Sequence, residues 1–212
     1  MKRKKYQFRL ANNCFLLTLL IFPYLKPASL EYFAPEWDRF FDIYKIFSFV
    51  IILGIYIFNG KYSKLICGII GYQIILFIST ILHNGNYWGL AVNCGATISF
   101  SMITEYVLKQ NPKLFFKSVS YVYCVMLPVD FLLYLIYPNG FSRMQANTWF
   151  FLSNRNGFAG LFIPVIVCLC IYSSFWNSKI KFFPLVALSC GSLRLIMTWS
   201  ATGIVSWFIL LV

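Results

Sequence analysis

Residues 138–160, PNGFSRMQANTWFFLSNRNGFAG, form the longest polar interruption in an otherwise apolar chain. They carry two arginines, Arg143 and Arg155, and four asparagines, Asn139, Asn147, Asn154 and Asn156. A helix-length apolar run lies on each side. Apolar runs of that length read as membrane spans, and polar groups gathered between two spans are where a membrane protein meets something hydrophilic. Residues 138–157 therefore read as a loop forming one wall of a site for an anionic substrate.

Working outward, 60% of the 212 residues are hydrophobic, 20% aromatic and only 11% charged, with a mean hydropathy of +0.73. A soluble domain of this length has too little interior to hide that much apolar surface, so the bilayer has to be the solvent. All seven cysteines fall in apolar runs and none forms a CxxC pair; with one histidine in the chain, no zinc-type ligand set exists. The cysteines read as small packing residues, and no metal or cofactor is expected. A net charge of +12 points to nucleic acid only where the basic residues share a soluble face. Here they stand in short clusters between apolar runs, the pattern of a topology signal, and no nucleic-acid partner is expected.

The expected architecture is an all-α, polytopic membrane helix bundle, a single transmembrane domain over residues 1–212. Five basic residues among the first nine precede an apolar run, but no small-x-small cleavage site follows, so residues 9–27 read as a first span kinked or ended by Pro23. A polar connection with four acids occupies residues 26–42. Further spans are expected over residues 43–58, 65–82, 87–108, 114–137, 158–175 and 182–199, giving about seven full transmembrane helices. Residues 203–212 make a partial eighth: ten residues of helix reach roughly 15 Å, half of a ~30 Å hydrocarbon core. That ending leads to the expectation of an N-terminal fragment of a longer multispan protein, inactive when expressed alone. With the N-terminus cytoplasmic, Lys2, Arg3, Lys4, Lys5, Arg9, Lys61, Lys64, Lys109, Lys113, Lys117, Lys179 and Lys181 all fall inside, and 138–157 becomes an outer loop.

Arg155 stands between two asparagines at the mouth of the sixth span. Amides at a helix start, a guanidinium and the positive end of the helix dipole together suit an anion, while Asn154 or Asn156 serves equally as a plain N-cap. Arg143 reads either as a second anion ligand or as a solvated loop charge. Arg194 lies well inside the seventh span, where an arginine is expensive and faces a partner or a wet cavity unless it snorkels out. Asp130 in the fifth span is its natural ion-pair candidate. Glu105, one turn before Lys109, fits an i,i+4 pair. His83 stands at an outer helix end and reads as an interfacial polar residue or a base. No P-loop, Gly-x-Ser-x-Gly or zinc signature is present.

The segment FFLSNRNG, residues 150–157, followed at once by an apolar run, resembles the O-antigen ligase and Wzy-type polysaccharide polymerase superfamily, in which a hydrophobic Asn-x-Asn type segment precedes a span. A second segment, TWSATG at residues 198–203, looks like that family's Thr-x-Ser-x-(Thr/Gly) hairpin, with Ser200 and Thr202 in its pattern. One short basic turn separates the two, as in the family, and the specific resemblance covers residues 143–212. Many members carry arginine directly after the hairpin serine, where this chain has Ala201. The family also continues into a large outer loop and further spans.

The resemblance implies an enzyme of the glycosyltransferase type, joining oligosaccharide repeat units carried on polyprenyl pyrophosphate into capsular or O-antigen polysaccharide. It implies a multi-pass protein of the bacterial cytoplasmic membrane, working beside other polysaccharide-assembly membrane proteins. A leaving group of that charge calls for arginines, so Arg155, Arg194 and Arg143, with Asn154 and Asn156, are the expected pyrophosphate ligands. Asp130 and His83 are the candidates for a base acting on the acceptor hydroxyl. The alternative class is a transporter or flippase of lipid-linked sugars, in which Pro128 and Pro164 mark broken helices.

Overall fold

In a computed structural model of the chain, the structure describes residues 13–59, 63–83, 85–140, 142–144, 147–154, 157–174, 182–198 and 201–211. Among the described residues the fold is all-helical apart from one small hairpin. In chain order the helices are α1 (Cys14–Ile21), α2 (Leu30–Phe33), α3 (Pro35–Asn59), α4 (Lys64–Leu82), α5 (Tyr87–Gln110), α6 (Pro112–Ile136), α7 (Gly157–Ser174), α8 (Phe182–Met197) and α9 (Ala201–Leu211). Strands β1 (Ser142–Met144) and β2 (Asn147–Trp149) lie between α6 and α7 and pair antiparallel, Arg143 opposite Thr148.

Among the described residues four of these helices, α3, α4, α6 and α7, are long and apolar enough to cross a membrane, against the seven full spans expected; Cys14–Leu25 and α8 make shorter apolar helices, and α5 is not among the four. The chain thus reads as a membrane protein. On α4 the large residues Leu65, Ile74, Ile75, Ile78 and Leu82 all point outward, a face that lipid and not water would cover. Helices stand where the apolar runs lie, because a backbone in hydrocarbon has to satisfy its own N–H and C=O groups. Two boundaries differ from expectation. The connection over residues 26–42 is not open chain: α2 lies within it and α3 begins at Pro35, a residue whose missing N–H suits a first helical turn. Likewise the loop 138–157 folds into the β1–β2 hairpin. Pro23 ends α1, which passes at Phe22 into a 3-10 turn. Neither Pro128 nor Pro164 divides its helix; α6 and α7 each run through as one element.

The chain divides into two compact units, Met1–Tyr24 with Arg39–Phe115, and Leu25–Asp38 with Phe116–Val212. In the first, Asn13 caps α1, its side-chain oxygen accepting the N–H groups of Phe15 and Leu16. The Tyr44 hydroxyl on α3 donates to the Leu19 carbonyl on α1 at 2.7 Å. Glu105 on α5 gathers the ends of three helices: it accepts from the Ser63 hydroxyl at 2.6 Å and the Tyr56 hydroxyl at 3.5 Å, and it pairs with Lys109 one turn on. Ser63 meanwhile caps α4 by accepting the Ile66 N–H. The i,i+4 pair expected of Glu105 is present, with an interhelical role added.

In the second unit, α7 packs against α8 and α9. Its buried stripe is Phe158, Ala159, Phe162, Val165, Ile166, Leu169 and Tyr172, the spacing of a single helix face. The facing stripe of α8 is Pro184, Ala187, Gly191, Arg194 and Leu195. Only glycine fits at 191, since a Cβ there would stand 2.1 Å from Cε2 of Phe162. Trp207 of α9 donates its indole N–H to the Ser192 hydroxyl of α8 at 3.0 Å.

Candidate functional site

The inward stripe of α8 carries Arg194 into the second unit's interior, where it is 0% exposed. Asp130, on α6, is 1% exposed and meets it: Arg194 Nε lies 3.2 Å from Asp130 Oδ2. The pairing expected from the sequence is therefore observed. Three rings close around the guanidinium, with Cζ 4.2 Å from the ring centre of Phe150, 4.4 Å from Tyr134 and 4.9 Å from Phe158. Such cation–π contacts contribute about 2 kcal/mol when desolvated. Nη1 and Nη2 find no hydrogen-bond partner among the described residues, so aromatic faces replace water around them.

The same carboxylate reaches the polar segment. Oδ1 of Asp130 accepts the backbone N–H of Leu152 at 2.9 Å. On the other side of the segment, the Leu152 carbonyl accepts the Ala28 N–H at 3.2 Å, and the Phe151 carbonyl accepts both the N–H and the hydroxyl of Ser29. Phe150 and Leu152 are buried. This stretch is thus laced into the unit on both edges, as its buried backbone requires. The connection that supplies Ala28 and Ser29 is itself closed by an ion pair between Lys26 and Asp38.

Asn154 resolves the two readings of its side chain: it caps α7, Oδ1 accepting the Gly157 N–H at 2.5 Å while its carbonyl accepts the Phe158 N–H at 3.0 Å. A side chain at 157 would meet Ser153 Oγ at 2.5 Å and Asn154 Oδ1 at 2.8 Å, so this close approach favours glycine. Below it, the Tyr134 hydroxyl donates to the Met197 carbonyl at 3.3 Å and Thr198 donates back to its own helix, tying α6 to the start of the TWSATG segment.

Of the residues singled out from the sequence, Asp130 and Arg194 meet and contact Phe150, Leu152 and Phe158, and Asn154 caps α7. Arg155, Asn156 and Ser200 lie outside the described residues, as do the side chains of Arg143 in β1 and Thr202 in α9. Arg194 is 0% exposed, and among the described residues its charged and ring contacts are one carboxylate and three rings. Asp130 is likewise enclosed and engaged. His83 belongs to the other unit, at the exposed C-terminal end of α4, with Nδ1 2.7 Å from the Ser79 carbonyl. Sequence reasoning missed Tyr134, Phe150 and Phe158 as the cage, and Leu152 as the backbone partner. In a chain one-fifth aromatic, ring positions carry little signal, and a backbone amide carries none. No protein-family model matches the chain, and neither a curated protein nor a solved structure matches it.

Proposed function

We propose that the chain is a multi-pass protein of the bacterial cytoplasmic membrane, crossing it about seven times with a partial eighth span and an inner N-terminus. Its reading as an enzyme is a polymerase of the glycosyltransferase type that joins polyprenyl-pyrophosphate-linked oligosaccharide units into capsular or O-antigen polysaccharide. The supporting observation is the condition of residues 150–154. The segment whose sequence resembles the superfamily is a built wall, bonded on both edges and capped by Asn154, rather than a free loop.

In that reading, a sugar hydroxyl of one chain attacks the anomeric carbon of another chain's first sugar. The bond from that carbon to the pyrophosphate oxygen breaks, the pyrophosphate leaves with the electron pair, and the hydroxyl proton is released. Negative charge grows on the leaving oxygen, and fixed positive groups aimed at it lower the barrier. Arg155, with Arg143 and Asn156, is the group assigned to that task; a guanidinium contacts phosphate through two parallel N–H bonds. Arg194 acts from behind the segment, since its charge is already met by Asp130.

Polymer made by cells carrying the substitution in the full-length protein is the test. Arg155→Ala is expected to abolish the ladder of long chains while protein level and lipid-linked single units persist. Arg155→Lys is expected to restore little of it. Chains of normal length from Arg155→Ala would remove this residue from the reaction. Retention of single units on the inner leaflet would instead favour a transporter.

A further inference from the structure

Helix α5 has 24 residues, enough to cross a membrane, yet it is not among the four described helices apolar enough to do so. A polar stripe contributes to that. Asn93, Thr97 and Ser101 stand four residues apart, which sets them on one face. Asn93 and Thr97 are exposed and Ser101 is part-exposed, while Ser99, Met102 and Ile103 on the far side are buried. The two hydroxyls are satisfied within the helix: Thr97 donates to the Asn93 carbonyl at 2.9 Å and Ser101 to the Thr97 carbonyl at 2.8 Å. The Asn93 side chain is not. Its amide carries two N–H donors and an acceptor, and among the described residues only its backbone carbonyl is bonded across the stripe. It stands about 9 Å along the helix from Tyr87, at 1.5 Å per residue. Acyl chains offer an amide no partner, and an unmet polar group in hydrocarbon is costly. This face calls for a polar neighbour at that depth.

We infer that this face of α5 is the contact between two copies of the chain. Copies inserted with one orientation bring their α5 helices together in parallel, about a twofold axis along the membrane normal, so Asn93 meets Asn93 at the same depth. An amide is its own complement, since each one both donates and accepts. Thr97 and Ser101 are small enough to let two backbones approach, and their donors are already turned inward. The stripe holds no charge to repel its image: Glu105 and Lys109, further along the helix, are paired with each other. A single polar residue in the seam between two helices also fixes their register. The contact does not rest on the polymerase reading.

The test is cross-linking of the full chain in its own membrane, in a cysteine-free background. Thr97→Cys is expected to give a disulfide-linked dimer on mild oxidation, because a bridge between identical positions joins two copies. Ile75→Cys on α4, where the native residue is 66% exposed, is the control and is expected to stay monomeric, since bridging needs Cα atoms within about 7 Å. Adding Asn93→Val to Thr97→Cys is expected to lower the dimer yield about three- to tenfold, the worth of one interhelical hydrogen bond in a membrane. Asn93→Gln keeps an amide and is expected to lower it less. Asn93 is exposed in the single chain, so both variants are expected to fold. Should the cysteine-free protein fail to fold, two differently tagged copies with native cysteines are expressed together. Capture of one is then expected to bring down the other, and about three- to tenfold less of it when both carry Asn93→Val. A Thr97→Cys protein that cross-links no more than Ile75→Cys, or only to a different protein, would overturn the inference. A dimer yield or co-capture unmoved by Asn93→Val would overturn it as well.

Discussion

Arg194 and Asp130 meet with Nε 3.2 Å from Oδ2, and neither side chain is more than 1% exposed. Removing one partner leaves the other charge buried and unmet, which in buried pairs costs about 3–5 kcal/mol. Asp130→Ala and Arg194→Ala are each expected to show that loss, read as a lower unfolding temperature in detergent. The two changes share a contact, so they are not expected to add: the double substitution should be less destabilising than the sum of the singles by roughly 1 kcal/mol or more. Additive losses would show that the pair does not interact in the folded protein.

Gly191 sits beneath the Phe162 ring, with no room for a methyl group. Gly191→Ala is expected to push α8 and α7 apart and to destabilise by about 1–3 kcal/mol. The companion change Phe162→Leu in the Gly191→Ala background relieves the clash and should recover part of the loss. An alanine variant as heat-resistant in detergent as the native protein would mean that the two helices do not pack at this point.

Ser63 performs two tasks in the other unit, capping α4 and donating to Glu105. Loss of a cap costs about 0.5–2 kcal/mol, and an interhelical hydrogen bond in a membrane protein about 0.6 kcal/mol. Ser63→Ala should therefore destabilise by about 1–2 kcal/mol. Ser63→Gly keeps more of the capping conformation and should lose less. Equal losses would assign the whole effect to the Glu105 contact.

The proposed orientation rests on the lysine-rich turns, which fall on one side if the expected seven spans alternate. In a cysteine-free background, an impermeant thiol reagent applied from outside is expected to label a cysteine placed at Ser142 and to spare one placed at Ser178. The reverse pattern would move the polar segment to the cytoplasmic face and end its reading as an outer-face site.

The positions of α3 to α8 were legible in the sequence, though not the number that can cross a membrane, because the length of an apolar run and the placing of charges decide where a helix can stand. Asp130 and Arg194 were legible for a related reason: a charge inside an apolar helix is expensive enough to demand a partner, and each was the other's nearest option. The sequence equally marked Glu105 for Lys109, since four residues along a helix bring two side chains onto one face. Tertiary structure alone decided what surrounds these charges. That Phe150, Tyr134 and Phe158, out of many rings, enclose Arg194 depends on how α6, α7 and α8 pack, and no local pattern encodes it. That Asp130 also holds Leu152, and that Ser29 holds Phe151 across more than a hundred residues, involves backbone groups which every residue possesses and which only the folded chain brings within 3 Å.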